Sequence, residues 1–208
     1  MNKTAKFIVF EGIDGAGKST QIKLLSEALA KHGIESRNSM EPTELPSGRE
    51  IRRALSGELK KTPLEMAEMF AADRIAHNTE IKKQLSDGVT VISDRYYYSS
   101  LAYQGAELGY DIVAGLNLDR EGIRRPDICV FLDLSPEKSL ARIGGRGENV
   151  EIYENFEYLT KTRKMFFDVF DRLRERGESI VVIDASGTVE EVADAVLSAV
   201  MKIYNVLD

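Results

Sequence analysis

The spacing of hydrophobic and polar positions divides the chain into short and long segments that alternate. Five short segments bounded by turn residues have the length of strands, and they lie at 6–10, 34–39, 89–93, 128–133 and 179–183. The longer segments between them carry apolar residues at helical spacing. They predict helices at 17–32, 47–56, 63–86, 98–106, 111–122, 136–143, 151–176 and 188–206. Strands that alternate with helices favour a parallel sheet covered by helices on both faces.

Capping signals support these boundaries. Thr62-Pro63-Leu64-Glu65 has the pattern of a helix start, with a threonine cap, proline at the first position and glutamate three residues after the cap. Gly33, Gly88 and Gly177 lie where helices should end before the next strand. The sequence shows no repeat, low-complexity segment or linker, so we predict a single α/β domain over residues 1–208.

Composition restricts the possible partners and location. The 208 residues carry a net charge of −6, which argues against a general nucleic-acid binder with a basic face. The single cysteine, Cys129, lies in an apolar run and is expected to be a buried small hydrophobe. There is neither an apolar stretch of about 18 residues nor a signal-peptide core at the start of the sequence. We therefore expect a soluble, cytoplasmic protein without a membrane or nucleic-acid partner.

The strongest motif follows the first predicted strand. The octapeptide Gly12-Ile13-Asp14-Gly15-Ala16-Gly17-Lys18-Ser19 fits the pattern G-x-x-x-x-G-K-[S/T], and Thr20 continues it into a helix. Glycines allow backbone N–H groups to surround phosphate oxygens, and the helix N-terminus favours negative charge. In such a P-loop, Lys18 reaches the β- and γ-phosphates and the Ser19 hydroxyl lies on Mg²⁺. The motif predicts a nucleoside triphosphate site.

Further chemistry is expected where the other strands end, because ligands bind at the carboxyl edge of a parallel sheet. Asp94-Arg95 follows the third strand. Asp94 can hold Mg²⁺ through water, and the planar fork of Arg95 suits a second phosphate. The alternative is a local ion pair at the rim of the sheet. Glu41-Pro42 follows the second strand, and Ser186-Gly187 follows the fifth.

Two other groups of residues are candidates for nucleotide contacts. Phe70 and Arg74 are four apart on one helix face, where a ring and a guanidinium can read a base, although Phe70 could equally be a core residue. The neighbouring segment 96–104 is rich in tyrosine, which could line a nucleoside pocket or simply pack. Arg142 and Arg146 lie among glycines and could form a cationic lid at about 142–150, or an ordinary solvated loop.

The remaining charged and titratable residues point to no further site. Lys60-Lys61 and Lys82-Lys83 are expected to be solvated helix ends. His32 and His77 occupy helical positions that look exposed, and no cluster has the spacing of a zinc site.

Taken together, these residues resemble a thymidylate kinase of the nucleoside-monophosphate kinase group of P-loop proteins. The resemblance covers nearly the whole chain, from Phe10 to Thr188. Its most specific parts are Phe70-Ala71-Ala72-Asp73-Arg74 and Asp94-Arg95-Tyr96, with Ser99 and Ala102-Tyr103-Gln104. It implies transfer of the γ-phosphoryl group of ATP to dTMP, giving dTDP and ADP, with Mg²⁺ and in a homodimer.

The resemblance also implies roles for individual residues. Phe70 would stack on thymine, Arg74 would hydrogen-bond its carbonyl edge, and Arg95 would hold the acceptor phosphate. Asp14 and Tyr103 would approach the sugar. The remaining implied contacts are Ser100 and Gln104 near the base, Glu41 and Pro42 beside it, and Ser186 and Gly187 bordering adenine.

The sequence departs from the family pattern at two places. Many members carry an arginine beside the Glu-Pro turn, whereas this chain has Met40 and Thr43 there, so Arg49 or Arg52 would take its place. The variable P-loop positions carry no basic residue, and family members of this kind use arginines of the lid. The resemblance therefore implies that Arg142 or Arg146 supplies the catalytic cation.

The same residues raise three alternative functions. A kinase for another nucleoside monophosphate or for a deoxynucleoside is the nearest, because thymine differs from uracil by one methyl group, which a pocket discriminates only about 10–200-fold. A P-loop GTPase switch lacks its Asn-Lys-x-Asp guanine reader, since Asn2-Lys3 is incomplete and misplaced. An inactive relative is disfavoured, because Lys18, Ser19, Asp94 and Arg95 are all present.

Overall fold

The computed structural model describes residues 4–118, 120–144 and 152–204. In this part of the chain, five strands form one all-parallel sheet in the order β2-β3-β1-β4-β5. The strands are β1 (Phe7–Glu11), β2 (Ser36–Met40), β3 (Thr90–Asp94), β4 (Ile128–Asp133) and β5 (Ile180–Asp184). The predicted fold class and the five parallel strands are confirmed.

Eight α-helices and one 3₁₀ turn connect and cover the strands within the described residues. They are α1 (Lys18–Lys31), α2 (Pro46–Leu55), α3 (Pro63–Ser86), α4 (Tyr97–Leu108), α5 (Tyr110–Asn117), α6 (Pro136–Gly144), α7 (Ile152–Glu175), α8 (Val189–Met201) and the 3₁₀ turn Lys202–Tyr204. The predicted capping box of α3 is present. The Thr62 hydroxyl accepts a hydrogen bond from the backbone N–H of Glu65, and the Glu65 carboxylate accepts one from the backbone N–H of Thr62.

Two predicted helix ends are wrong. The helix predicted to reach residue 122 ends at Asn117, and Gly122, with a φ of 98°, lies in a turn that a helix cannot contain. The last helix, predicted to reach 206, ends at Met201 and tightens into the 3₁₀ turn, a common way for a helix to finish.

The core consists of two hydrophobic clusters, one on each face of the sheet. Along β1, Phe7 and Val9 point to one cluster and Ile8 and Phe10 to the other, as the period of two in a strand requires. Helices α3, α4 and α7 cover the face of Phe7 and Val9, while α1 and α8 cover the face of Ile8 and Phe10. Cys129 is fully buried as expected, and burial raises the pKa of its thiol.

Strand β2 differs from the other four strands because its sequence is mostly polar. It pairs only with β3 and therefore forms an edge of the sheet, where polar side chains reach solvent. Among the described helices, none combines the length and the apolar character that crossing a membrane requires.

Candidate functional site

The P-loop connects β1 to α1 at the carboxyl edge of the sheet. Gly12, Gly15 and Gly17 have φ values of 152°, 78° and 93°, which residues with a side chain rarely adopt. A Cβ at Gly12 would lie 2.8 Å from the carbonyl oxygen of Leu132. A Cβ at Gly15 would lie 3.0 Å from that of Ser139. The loop therefore fits closely against β4 and α6 only because these positions are glycines.

Lys18 is the buried cation of this loop. Its side-chain Nζ donates to the carbonyl oxygens of Gly12 at 3.0 Å and Ile13 at 3.5 Å. Burial, together with the nearby charge of Arg95, lowers the pKa of Lys18 to about 8, against the opposing effect of Asp94 and other carboxylates. A bound triphosphate would supply negative charge next to this ammonium and so favour its protonated form.

A cavity of about 620 Å³, here called the phosphate cavity, lies above Lys18. The predicted residues that line it are Asp14, Gly15, Gly17, Lys18, Ser19, Thr20, Glu41, Asp94 and Arg95. Three predicted P-loop residues do not line it. Gly12 and Ile13 present their carbonyl oxygens to Lys18, and buried Ala16 lines the neighbouring cavity beside α8.

Ser19 and Asp94, the two predicted metal contacts, face the same cavity. The Oδ1 atom of Asp94 is buried and has no hydrogen-bond partner among the described residues. Oxygen ligands of this kind suit a hard divalent cation, so the pair fits the predicted Mg²⁺. Elsewhere in the described chain, no group of three or more His, Cys, Asp or Glu residues could hold a metal.

Arg95 lies at the junction between the phosphate cavity and a second one. Its backbone φ is 69°, an uncommon value for a residue other than glycine. Its guanidinium donates to Asp14 Oδ1 at 2.7 Å and to Ser99 Oγ at 3.1 Å, and lies 5.7 Å from the ring centre of Tyr103. Because its side chain lines both cavities, Arg95 can contact the ligand of either.

Glu11, which was not among the predicted site residues, holds this junction in place. Glu11 is fully buried, and its carboxylate accepts from the backbone N–H groups of Tyr96 at 2.9 Å and Ser99 at 3.1 Å. Its other oxygen accepts from the Ser99 hydroxyl at 2.7 Å. Burial raises the pKa of Glu11, and the charge of Arg95 opposes that shift. The signal in the sequence is a carboxylate that ends an otherwise apolar strand.

The second cavity, here called the acceptor cavity, has a volume of about 550 Å³ and lies between α3, α4 and α7. It brings together nine predicted residues: Asp14, Glu41, Pro42, Phe70, Arg74, Arg95, Ser100, Tyr103 and Gln104. Phe70 is thus a cavity residue and not a member of either core cluster. Lining residues from two segments were not predicted, namely Leu55, Lys61 and Met66, and Tyr158, Lys161, Thr162 and Met165 on α7.

Arg74 is almost completely buried at the base of the acceptor cavity, with 1% of its surface exposed. Its guanidinium is paired with Glu41 Oε2, 2.6 Å from Nη2 and 2.8 Å from Nε. The other carboxylate oxygen of Glu41 lies 3.0 Å from His77 Nδ1. The expectation that His77 is exposed is therefore wrong, because α3 turns this residue inward onto Glu41. His32 is exposed as expected.

Arg52 and Arg49, the predicted substitutes for the missing arginine, lie on α2, which follows the turn after β2. Arg52 donates to the carbonyl oxygens of Pro42 at 2.6 Å and Thr43 at 2.8 Å, and it pairs with Glu44. Arg49 donates to the carbonyl oxygen of Glu44 at 2.5 Å. Neither residue lines the acceptor cavity. A direct contact with the acceptor stays a prediction for Arg52.

Arg142 lies beside the P-loop and not above Lys18. Its guanidinium donates to the carbonyl oxygens of Ala185 at 2.9 Å and Gly15 at 3.4 Å. With Gly187 it lines a third cavity of about 310 Å³, on the side predicted to border adenine. Ser186 adjoins this cavity, and its N–H donates to Asp184 at 2.8 Å. Arg146 and most of the predicted lid at 142–150 lie outside the described residues.

Comparison with known proteins agrees with this geometry. Residues 10–196 match the family model described as thymidylate kinase. The chain belongs to the thymidylate kinase family. It is 40% identical over 200 residues to a probable thymidylate kinase of Methanococcus aeolicus, covering 94% of this chain and 96% of that protein. It is 38% identical over 203 residues to one of Thermococcus onnurineus, covering 93% and 96%.

A bacterial relative is similar to the same degree. The thymidylate kinase of Desulfotalea psychrophila is 41% identical over 167 residues, which covers 79% of this chain and 82% of that protein. The predicted resemblance to this family is confirmed, and with it the predicted class of enzyme, a kinase. The GTPase switch is not favoured.

Proposed function

We propose that this chain transfers the γ-phosphoryl group of ATP to dTMP, giving dTDP and ADP. The observation that carries the proposal is the position of Arg95, which lines both the phosphate cavity and the acceptor cavity of about 550 Å³. A nucleotide in each cavity would bring its terminal phosphate to this residue. The family match supports ATP as donor and dTMP as acceptor.

The reaction needs no catalytic base. A monophosphate has a second pKa of about 6, so at neutral pH its attacking oxygen is already largely anionic. The protein must align two polyanions, balance their charge and exclude water. Lys18 would bind the donor's phosphates, and Arg95 would leave Asp14 to bind the acceptor phosphate. Tyr158, which lines both cavities, would shield the junction from solvent.

Ser19 and Asp94 would hold Mg²⁺, which would neutralise charge on the donor phosphates when bound. Phe70 and Arg74 would face the thymine base, Ser100 and Gln104 would line its pocket, and Tyr103 would lie against the sugar. Arg142 and Gly187 would border adenine, with Ser186 beside them. Arg146 keeps its proposed catalytic role in the lid.

We also propose a homodimer located in the cytoplasm. The family resemblance supports the homodimer. The small nucleotide substrates and the single buried cysteine support the location.

Turnover across a panel of acceptors tests the proposal. The purified chain is mixed with MgATP and, in turn, dTMP, dUMP, UMP, dCMP, AMP and thymidine, and ADP formation is measured. The lysine of the P-loop supplies the control, because Lys18→Ala should abolish turnover with every acceptor while the circular dichroism spectrum stays unchanged. A preference of more than tenfold for dTMP supports the proposal, and a smaller preference contradicts it.

A further inference from the structure

The hydrogen bonds of Arg74 leave it very few donors for a ligand. An arginine side chain has five N–H groups, one on Nε and two on each terminal nitrogen. Nε donates to Glu41 at 2.8 Å, and Nη2 donates to Glu41 at 2.6 Å and to Ser100 Oγ at 3.2 Å. Nη1 donates to Asn117 Oδ1. Within the described residues, one N–H group of Nη1 remains without an acceptor.

Asn117 is well placed to decide where this remaining N–H group points. It is the last residue of α5 and is completely buried. Its amide nitrogen donates to the carbonyl oxygen of Val113 at 2.8 Å. Because that carbonyl can only accept, the Asn117 nitrogen must face it and the amide oxygen must face Arg74. The orientation of Asn117 is therefore fixed from its own helix.

Glu41 and Asn117 accept hydrogen bonds from opposite sides of the same guanidinium. Glu41 holds the edge formed by Nε and Nη2, and Asn117 holds Nη1. Rotation about the bond to Cζ is hindered, and the guanidinium lies 5.2 Å from the ring centre of Tyr96. With Arg74 lining the acceptor cavity, the uncommitted N–H group is the polar group that Arg74 can offer a base.

We propose that Asn117 is a positioning residue that makes the acceptor cavity selective for a base with a carbonyl, and not an amino group, at the edge facing Arg74. By taking one N–H of Nη1, Asn117 leaves a single donor in a fixed direction. Thymine presents a carbonyl acceptor there, whereas cytosine presents an amino donor that would oppose the N–H. This inference rests on the proposed function, since it assumes a pyrimidine monophosphate in the cavity.

The test compares kcat and KM for dTMP and dCMP in wild type and in variants of two buried asparagines. Asn117→Ala removes the acceptor for Arg74. Asn78→Ala is the matched control, because buried Asn78 donates to the backbone carbonyl of Arg74 at 2.8 Å and makes no hydrogen bond to the guanidinium among the described residues. Asn117→Asp is the rescue variant, since a carboxylate oxygen can still accept from Nη1.

We expect Asn117→Ala to lose discrimination between dTMP and dCMP while keeping its kcat. For Asn117→Ala, the ratio of kcat/KM for dTMP to that for dCMP should fall at least about tenfold. The change should come through the KM for dTMP, with kcat and the KM for ATP nearly unchanged. Asn78→Ala should keep the wild-type ratio even where it lowers the melting temperature, and Asn117→Asp should keep most of it.

Three results would overturn the inference. They are an unchanged ratio in folded Asn117→Ala, an equal loss in Asn78→Ala, and an Asn117→Asp variant that is folded yet as unselective as the alanine variant. If Asn117→Ala does not fold, Asn117→Leu, which has a similar shape and no acceptor, takes its place with the same expectation. Failure of the proposed function would look different, because wild type itself would then not prefer dTMP over dCMP.

Discussion

The guanidinium of Arg95 and the carboxylate of Asp14 form an ion pair of 2.7 Å across the junction of the two cavities. Asp14 belongs to the P-loop and Arg95 to the end of β3, so the pair joins the donor side of the site to the acceptor side. The Asp14 side chain is 67% exposed and that of Arg95 21% exposed. Because water can solvate the exposed Asp14 carboxylate once it is displaced, a phosphate entering the junction can replace it as the partner of Arg95.

Replacing Arg95 should affect the acceptor more than the donor. We expect Arg95→Ala to raise the KM for dTMP by at least about tenfold and the KM for ATP much less, because a charge-assisted contact with the acceptor phosphate is lost. Arg95→Lys should recover only part of this loss, since an ammonium lacks the planar fork. Steady-state kinetics with each substrate varied in turn would measure both constants. A larger change in the KM for ATP would refute the assigned role.

Binding of ATP should take up a proton above pH 8. The pKa of Lys18 is lowered to about 8 in the folded protein, from an ordinary value of 10.5. Between these two values the unfolded chain binds more protons, so the contribution of Lys18 to the free energy of unfolding rises with pH there. Bound phosphates favour the charged ammonium, and the affinity for MgATP should consequently fall by up to about tenfold per pH unit above 8.

Calorimetry at pH 8.5 in buffers of different ionisation enthalpy would measure this proton uptake. Lys18→Met is the control, because it removes the titrating group while keeping an unbranched side chain. Equal proton uptake in wild type and in Lys18→Met would show that another group is responsible.

The buried Glu41 should matter far more to stability than the exposed Glu44. Glu41→Gln would leave the buried guanidinium of Arg74 without its counter-charge, and such a loss typically costs about 3–5 kcal/mol. Glu44 pairs with Arg52 at 2.7 Å but its side chain is 77% exposed, so Glu44→Gln should cost less than about 1 kcal/mol. Urea denaturation of the two variants would give both values. Similar losses would mean that the Glu41–Arg74 pair is not what stabilises this region.

Gly48 should tolerate no side chain, although it lies at the start of an ordinary helix. A Cβ there would lie 1.9 Å from the carbonyl oxygen of Thr43, in the turn that also carries Glu41. Asp73 holds that turn by accepting from the Thr43 N–H at 2.8 Å and hydroxyl at 2.6 Å, so the turn cannot easily yield. We expect Gly48→Ala to lower the free energy of unfolding by about 2 kcal/mol or more.

Gly115 in α5 provides the comparison for Gly48. Apart from its chain neighbours and the helix's own backbone, no atom of the described residues lies within 4 Å of a Cβ built there, so Gly115→Ala should raise stability by about 0.5–1 kcal/mol through its helix propensity. Thermal unfolding would measure the change in stability of both variants. Equal effects of the two substitutions would contradict the close contact at Thr43.

The sequence predicted the fold and the P-loop because both depend on local patterns. Periodicity placed the strands, and the spacing of Gly12, Gly17 and Lys18 placed the phosphate cavity. The capping residues placed the start of α3. The end of α5 was missed because its pattern continues past Asn117, whereas the turn at Gly122 has no helical geometry.

The buried polar network could not be predicted because it depends on contacts between residues far apart in sequence. Glu11 meets Ser99 across 88 positions, and Arg74 meets Asn117 across 43. A lone histidine on a helix, such as His77, gives no sign of which face will be buried. The contribution of α7 to both cavities was also invisible, since Tyr158 and Lys161 look like ordinary residues of an amphipathic helix.

The path of the γ-phosphoryl group tests most directly whether both nucleotides meet at Arg95. With ATP labelled at the γ-phosphate, a single turnover in the presence of dTMP should place the label in dTDP, with little inorganic phosphate released. Without dTMP, the enzyme should neither release label nor exchange it between ATP and ADP. Label released mainly as inorganic phosphate, or exchange in the absence of dTMP, would contradict direct transfer between two nucleotides bound side by side.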